Sequence, residues 1–247
     1  MNIKHSVIAF TGDWHGNTRY AIKALRHARK NNADVVIHTG DLGAFPDSGF
    51  ISAINDEAER LGIQILFVDG NHENHEWLNN QPIDEDGVRR LFTRVWHLPR
   101  GFRWSWDGVS FLALGGAMSV DRDLRTEGVD WWPEETISDL DILRSTQGGE
   151  VDVMVTHDCP LNVDVPLSGG LGLSHEIIQE ANINREAISH VMSKVNPRYL
   201  FHGHMHVRYD TTLEESGLRP CHISGLGMDG TPFTENLVLK RIQDFDN

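Results

Sequence analysis

The chain has 247 residues, with 22 Lys and Arg against 36 Asp and Glu, for a formal net charge of -14. That length holds a full core without staples, and the only two cysteines, Cys159 and Cys221, make neither a disulfide framework nor a thiolate metal site. The acidic field works against stable binding of duplex nucleic acid. The apolar run from Ser6 to Phe10 is cut by Gly12 and Asp13 too early for a secretion signal, and no stretch reaches membrane-span length. The expectation is a cytoplasmic protein without membrane contact, organised as a single domain over residues 1–247.

Ser6 to Thr11 is a continuous β-prone run and predicts a buried strand that ends in Gly12-Asp13-Trp14-His15. A helix is predicted from Thr18 to Lys30, then a strand from Asp34 to Thr39 ending at Gly40-Asp41. A second helix runs from Phe50 to Leu61 and is closed by Gly62, and a third strand from Gln64 to Val68 ends in Asp69-Gly70-Asn71-His72-Glu73. The β-α-β-α-β order puts polar residues three times at the carboxyl end of a strand, where open α/β sheets bind ligands.

His75 to Phe92 reads as mixed helix and loop, and Arg100–Trp106 with Val109–Leu114 as a hairpin about Asp107-Gly108. A long loop from Gly115 runs through Trp131-Trp132; a structureless stretch of that length is commonly functional. A helix is predicted from Pro133 to Arg144, and a strand from Val151 to Thr156 ends at His157-Asp158. Leu161 to Ser174 is rich in Gly and Pro around Ser168-Gly169-Gly170. A helix from Asn184 to Lys194 follows, then a strand from Tyr199 to Phe201 ending in His202-Gly203-His204-Met205-His206. Val207 to Ile242 alternates enough for two or three antiparallel strands.

The polar residues at these strand ends are Asp13, His15, Asp41, Asn71, His72, His157, His204 and His206. All offer oxygen or imidazole nitrogen, a set that suits Mn, Fe, Zn or Ni rather than a cysteine-type structural zinc. Asp-x-His and His-x-His place two donors on one side of an extended segment. Seven of these residues complete two neighbouring metal sites if one carboxylate is shared. Gly12, Gly40, Gly70 and Gly203 are expected to let the backbone turn so that the next side chain points inward.

In order, Asp13-Trp14-His15, Gly40-Asp41, Gly70-Asn71-His72-Glu73, His157 and Gly203-His204-Met205-His206 resemble the motif set of the calcineurin-like metallophosphoesterases. The match spans Asp13 to His206. The resemblance implies a four-layer α/β/β/α sandwich of two mixed β-sheets flanked by helices. It implies one metal at Asp13, His15, Asp41 and His206, and a second at Asp41, Asn71, His157 and His204. Manganese is the leading choice for both, with Fe, Zn or Ni as alternatives. It further implies in-line attack on phosphorus by a metal-bridging hydroxide, with His72 as the acid.

Departures from the pattern bear on the substrate. Protein Ser/Thr phosphatases of this superfamily carry Gly-Asp-x-Val-Asp-Arg-Gly where this chain has Gly40-Asp41-Leu42-Gly43-Ala44-Phe45. They also place an arginine before Gly-Asn-His-Glu, where Asp69 stands here. A carboxylate at that position is expected to disfavour a phosphate dianion and tolerate a diester. The pattern is similar to the bacterial and phage phosphodiesterase branch, including class III cyclic-nucleotide phosphodiesterases, and the expected substrate is a small phosphodiester or nucleotide. Phosphomonoesterase, nuclease and non-catalytic scaffold are the alternatives.

Within the long loop, Arg122 and Arg125 are candidate phosphate contacts and Trp131 and Trp132 candidate base platforms, against the plainer readings of ion pairing and packing. His38 and His202 are read as core or supporting residues, His75 as a surface or helix-start residue, and Glu73 and Asp158 as carboxylates that orient ligands.

Overall fold

The computed structural model describes residues 7–167 and 172–245; Ser6 and the Ser168-Gly169-Gly170 centre of the Gly-rich stretch lie outside the described residues. The first half alternates β1 (Val7–Thr11), α1 (Thr18–Lys30), β2 (Val35–His38), α2 (Phe50–Leu61) and β3 (Gln64–Phe67). A short helix α3 (His75–Asn79) and two short strands, β4 (Arg89–Arg90) and β5 (Val95–His97), complete it. The second half runs through β6 (Arg103–Trp106), β7 (Val109–Leu114), α4 (Asp139–Thr146), β8 (Val153–Thr156), α5 (His175–Val195) and β9 (Tyr199–His202). It ends in β10 (Tyr209–Leu213), β11 (Cys221–Gly225), α6 (Phe233–Asn236) and β12 (Leu237–Arg241).

Two mixed six-stranded sheets result, in the orders β12-β1-β2-β3-β5-β4 and β10-β11-β9-β8-β7-β6. In each, four central strands are parallel and the two edge strands antiparallel. The period of two along the strands decides what meets what. Ala9, Val36, Ile65 and Phe67 face α1 and α2, while Ile8, Phe10, Val35, Ile37 and Leu66 face the other sheet. Phe111, Val153, Val155 and Phe201 meet them from the second sheet, with Phe10 and Phe201 stacked at 3.7 Å. The outer face of the second sheet, including Leu112, Met154 and Leu200, packs on Ile188, Val191, Met192 and Val195 of α5. The four-layer α/β/β/α sandwich is therefore the fold, with all three apolar interfaces filled.

Several local expectations shift. The helix expected from Pro133 begins instead at Asp139, because Ser138 and Asp141 form a capping box and Pro133–Glu135 is only a tight 3₁₀ turn. Helix α5 starts at His175, nine residues before Asn184, where the Ser174 side chain accepts from the Ile177 N–H. Strands β4 and β5 were too short to show a period. Beyond Val207, only β10 pairs antiparallel with its sequence neighbour β11; β11 runs parallel to β9, and β12 crosses to the first sheet to pair with β1. The hairpin forms as expected, with φ of 47° at Asp107 and 89° at Gly108.

Candidate metal centre

Five parallel strands, β1, β2, β3, β8 and β9, end at one rim of the sandwich and deliver the polar residues there. Asp13, His15, Asp41 and His206 bring one donor atom each within 4.8 Å of one another, and so do Asp41, His157 and His204. Asp41 belongs to both groups. His206 Nε2 lies 3.0 Å from Asp13 Oδ2, and His15 Nε2 lies 3.8 Å from Asp13 Oδ2 and 3.6 Å from Asp41 Oδ2. His157 Nε2 lies 3.2 Å from Asp41 Oδ1 and 3.1 Å from Asn71 Oδ1, which adds Asn71 to the second group.

The backbone is shaped for this convergence. His15, Asp41, His204 and His206 all take left-handed conformations, with φ between 44° and 59°. Non-glycine residues hold such angles only where the surroundings over-determine them. Of the four motif glycines expected to turn the chain, only Gly40 takes a positive φ, 100°, and a Cβ on Gly12 would run into the Gly227 carbonyl. A Cβ on Gly70 would run into the Asp41 carboxylate, and one on Gly203 into that of Asp13. Gly12, Gly70 and Gly203 allow close approach, and apart from Gly40 the turning is done by the candidate donors themselves.

Each donor is aimed by a partner behind it. His157 Nδ1 donates to the Thr39 carbonyl at 2.8 Å, leaving Nε2 free to face Asp41. His15 Nδ1 lies 2.9 Å from Asp229 Oδ1, and Asn17 Nδ2 donates to the other Asp229 oxygen at 2.7 Å. The Asn71 amide donates at 3.1 Å to Ser119 Oγ, which donates at 2.7 Å to the buried Glu135, so the Asn71 carbonyl points at the centre. Glu73 accepts from the N–H groups of Leu42, Gly43 and Gly70 and binds the second motif loop to the third. Asp158 accepts from Cys159 N and Asn184 Nδ2, joining the end of β8 to α5.

Asp13 and Asp41 are fully buried, and imidazoles are the cationic groups at them. Burial favours the neutral acid, yet the His157 and His15 rings hold Asp41 well below the usual carboxylate range. Reciprocally, burial opposes charge on the rings, but Asp41 raises His157 to about 10 and His15 to about 9. Two buried carboxylates, all oxygen and nitrogen donors and strained ligand backbones fit a pair of divalent cations.

His72 stands at the mouth, 3.9 Å from Asp41 Oδ2, and its backbone N–H donates to Asp41 Oδ1 at 2.8 Å. Arg125 Nη2 donates to His72 Nε2 at 3.3 Å. A guanidinium cannot accept, so that ring nitrogen is unprotonated here. Burial, together with Arg125, lowers the His72 pKa despite the pull of Asp41.

The other proposed contacts separate. Arg125 is clamped by Asp121 at 2.8 and 2.9 Å, whereas Arg122 pairs with Glu180 at 2.7 Å and does not reach the donors. Trp132 is buried beside Phe45 and His75, and Trp131 closes a turn back on Gly128. Neither lines the cleft over the candidate metal donors. Asp69 is also redirected: its carboxylate is held by Arg100 at 2.6 and 2.9 Å and faces away from that cleft. Its proposed repulsion of a phosphate dianion has no geometric basis. His202 binds Tyr209 and His38 packs edge-on against Trp14, as supporting residues. His75 starts α3 but is buried, with Nε2 3.0 Å from the Gly70 carbonyl. Sequence reading missed Asp229, Ser119, Glu135 and Arg100, none of which sits in a motif.

A family model described as calcineurin-like phosphoesterase matches residues 6–208. The chain belongs to the calcineurin-like phosphoesterase family. Its members are metal-dependent hydrolases of phosphoesters, and the donor clusters of this member lie where such metals would be held. No curated protein matches the chain. Among solved structures, this calcineurin-like phosphoesterase is similar to TT1561 of Thermus thermophilus, at 12% identity and a TM-score of 0.55, covering 96% of this chain and 99% of that one. It is also similar to a dimetal phosphatase from Danio rerio, at 12% identity and a TM-score of 0.52, covering 96% of this chain and 92% of the other. At such identities the likeness is one of fold. No helix among the described residues is long and apolar enough to cross a membrane.

Proposed function

We propose that the chain is a single-domain phosphodiesterase with a dinuclear metal centre, acting on small phosphodiesters of the nucleotide kind, cyclic or linear. Asp13, His15, Asp41 and His206 would hold one ion, and Asp41, Asn71, His157 and His204 the other. Manganese is the first metal to supply, and the cytoplasm the expected location. When bound, the ions neutralise phosphoryl oxygens and make water acidic enough to attack phosphorus in line at neutral pH.

The protein's own residues do the rest. An anionic phosphoryl group entering between His72 and Arg125 takes over the Arg125 Nη2 N–H that faces His72, with the Asp121 pair still in place. It also adds negative charge beside the His72 ring, which favours protonation at Nε2. The protonated ring then donates to the leaving oxygen, a contribution typically worth about 10²–10⁴ in rate. Arg125 holds the group in register with Asp41.

One observation carries the diester preference. The guanidinium beside His72, that of Arg125, is already neutralised by Asp121. One negative charge is matched more readily than two. The same Arg125 favours a second reading, a phosphomonoesterase, if Asp121 gives way to a dianion. Hydrolysis of bis(p-nitrophenyl) phosphate and p-nitrophenyl phosphate with added Mn²⁺ separates the two. The diester is expected to have the higher kcat/KM, and turnover of the monoester alone would overturn the proposal.

A further inference from the structure

The cleft above the metal ligands has a volume of about 690 Å³ and is lined by Asp41, Asn71, His72, His204 and His206 on its floor. One wall is apolar: Val120, Leu167, Leu173, Ile178, Ala181 and Met205. The size is in the range of small-molecule sites, roughly 300–1,000 Å³. Single exposed apolar residues need no explanation, but six apolar residues around one concavity, two of them exposed, do.

The wall is tied to the metal centre at two points. Met205 lies between His204 and His206, and Val120 follows Ser119, the residue that orients Asn71. Helix α5 supplies the far side. Its residues Ile188, Val191, Met192 and Val195 pack into the core against the second sheet. Ile178, Ala181, Asn182 and Arg185 follow the i, i+3, i+4, i+7 spacing of a separate face that lines the cleft. Ile178 is left 45% exposed and Leu167 40% exposed, although the core has no use for them on that side.

We infer that this wall is a subsite for a bulky apolar or aromatic ester group on the phosphorus held at the metal centre. The inference rests on the proposed function only in that the metals orient a phosphoryl group. The group that stays on phosphorus lies against Ile178, Leu173 and Met205, while the leaving oxygen faces His72. Small alkyl esters cannot reach across the cleft and forgo this contact. An aryl or nucleobase-bearing ester buries its flat apolar surface there.

Binding of phenylphosphonate and methylphosphonate to the Mn²⁺-loaded protein, by isothermal titration calorimetry, tests the inference without any turnover. Phenylphosphonate is expected to bind on the order of tenfold more tightly, the gain from burying a ring face. In the double variant Ile178→Ser, Leu173→Ser the ratio is expected to fall towards one. Ile183→Ser, which is 66% exposed on the same helix and outside the cleft, keeps the ratio and controls for damage to α5. Equal affinity for the two phosphonates, or binding of neither, overturns the subsite. Phenylphosphonate preference in a protein that leaves bis(p-nitrophenyl) phosphate intact would instead sink the phosphodiesterase reading and leave the subsite standing.

Discussion

Asp41 and Asp229 show two ways in which one carboxylate would govern a metal held at the candidate centre. Asp41 is buried within reach of both His15 and His157, so its charge serves two donor groups at once. Asp229 touches no candidate metal position; it grips His15 Nδ1 and is itself braced by Asn17. Removing the two charges should therefore fail differently. Asp41→Asn is expected to leave a folded protein with fewer than two metals after dialysis and severe loss of activity. Asp229→Asn keeps a weak acceptor for His15 but loses the charge behind the ring, a change that costs about 10–100-fold in affinity at comparable sites. Metal titration should then show one site weakened and one unchanged. Two unchanged affinities in Asp229→Asn would remove it from the centre's support.

At the scale of elements, the segment from Gly115 to Glu135 depends on Arg100. That buried guanidinium holds the Asp69 carboxylate and donates to the carbonyls of Glu134, Glu135 and Thr136. Burial alone would raise the Asp69 pKa; the Arg100 charge outweighs it and holds the carboxyl well below its usual range. A depressed carboxyl contributes stability above its unfolded pKa, near 3.9, and loses it as pH falls through the lower folded value. Arg100→Leu strands the Asp69 charge and frees the loop end, at a cost of about 3–5 kcal/mol. Urea unfolding at pH 7 should show this loss, and the difference from the parent should shrink towards pH 3. A midpoint shift that is the same at both pH values would show that Asp69 ionisation is not what Arg100 stabilises. This anchorage also marks where sequence reading stopped. α1 and α2 were legible to their ends because an apolar stripe meets a clear stop, Asn31 or Gly62, and the candidate metal donors stood out because their motifs are contiguous. Arg100, Asp229 and Glu135 act across 31, 214 and 16 positions respectively, and no local pattern announces such pairings. Asp69 shows the same limit: its neighbours in sequence suggest the cleft, and its partner in space, Arg100, turns it away.

Over the whole molecule, the metal centre couples to pH. Without metal, Asp13 and Asp41 are balanced by protons on imidazole: burial opposes them, but Asp41 raises His15 to about 9 and His157 to about 10. At pH 7.5 both rings are charged in the metal-free protein, yet a ring must be neutral to ligate. Loading the centre should therefore expel about two protons. The same linkage acts on stability. A raised imidazole pKa supports the metal-free fold fully below the unfolded value, near 6.5, and that support is lost as pH rises through about 9 to 10. The metal-loaded fold has no such protons to lose. The gap in Tm between loaded and metal-free protein should therefore widen steadily from pH 6.5 to pH 10. Proton release is read by calorimetry at pH 7.5 in buffers of different ionisation enthalpy, and the gap by thermal melts across the pH range. Metal uptake with no proton release, together with a Tm gap that does not change with pH, would mean that the buried carboxylates are balanced some other way. The two imidazoles would then be neutral before any metal arrives.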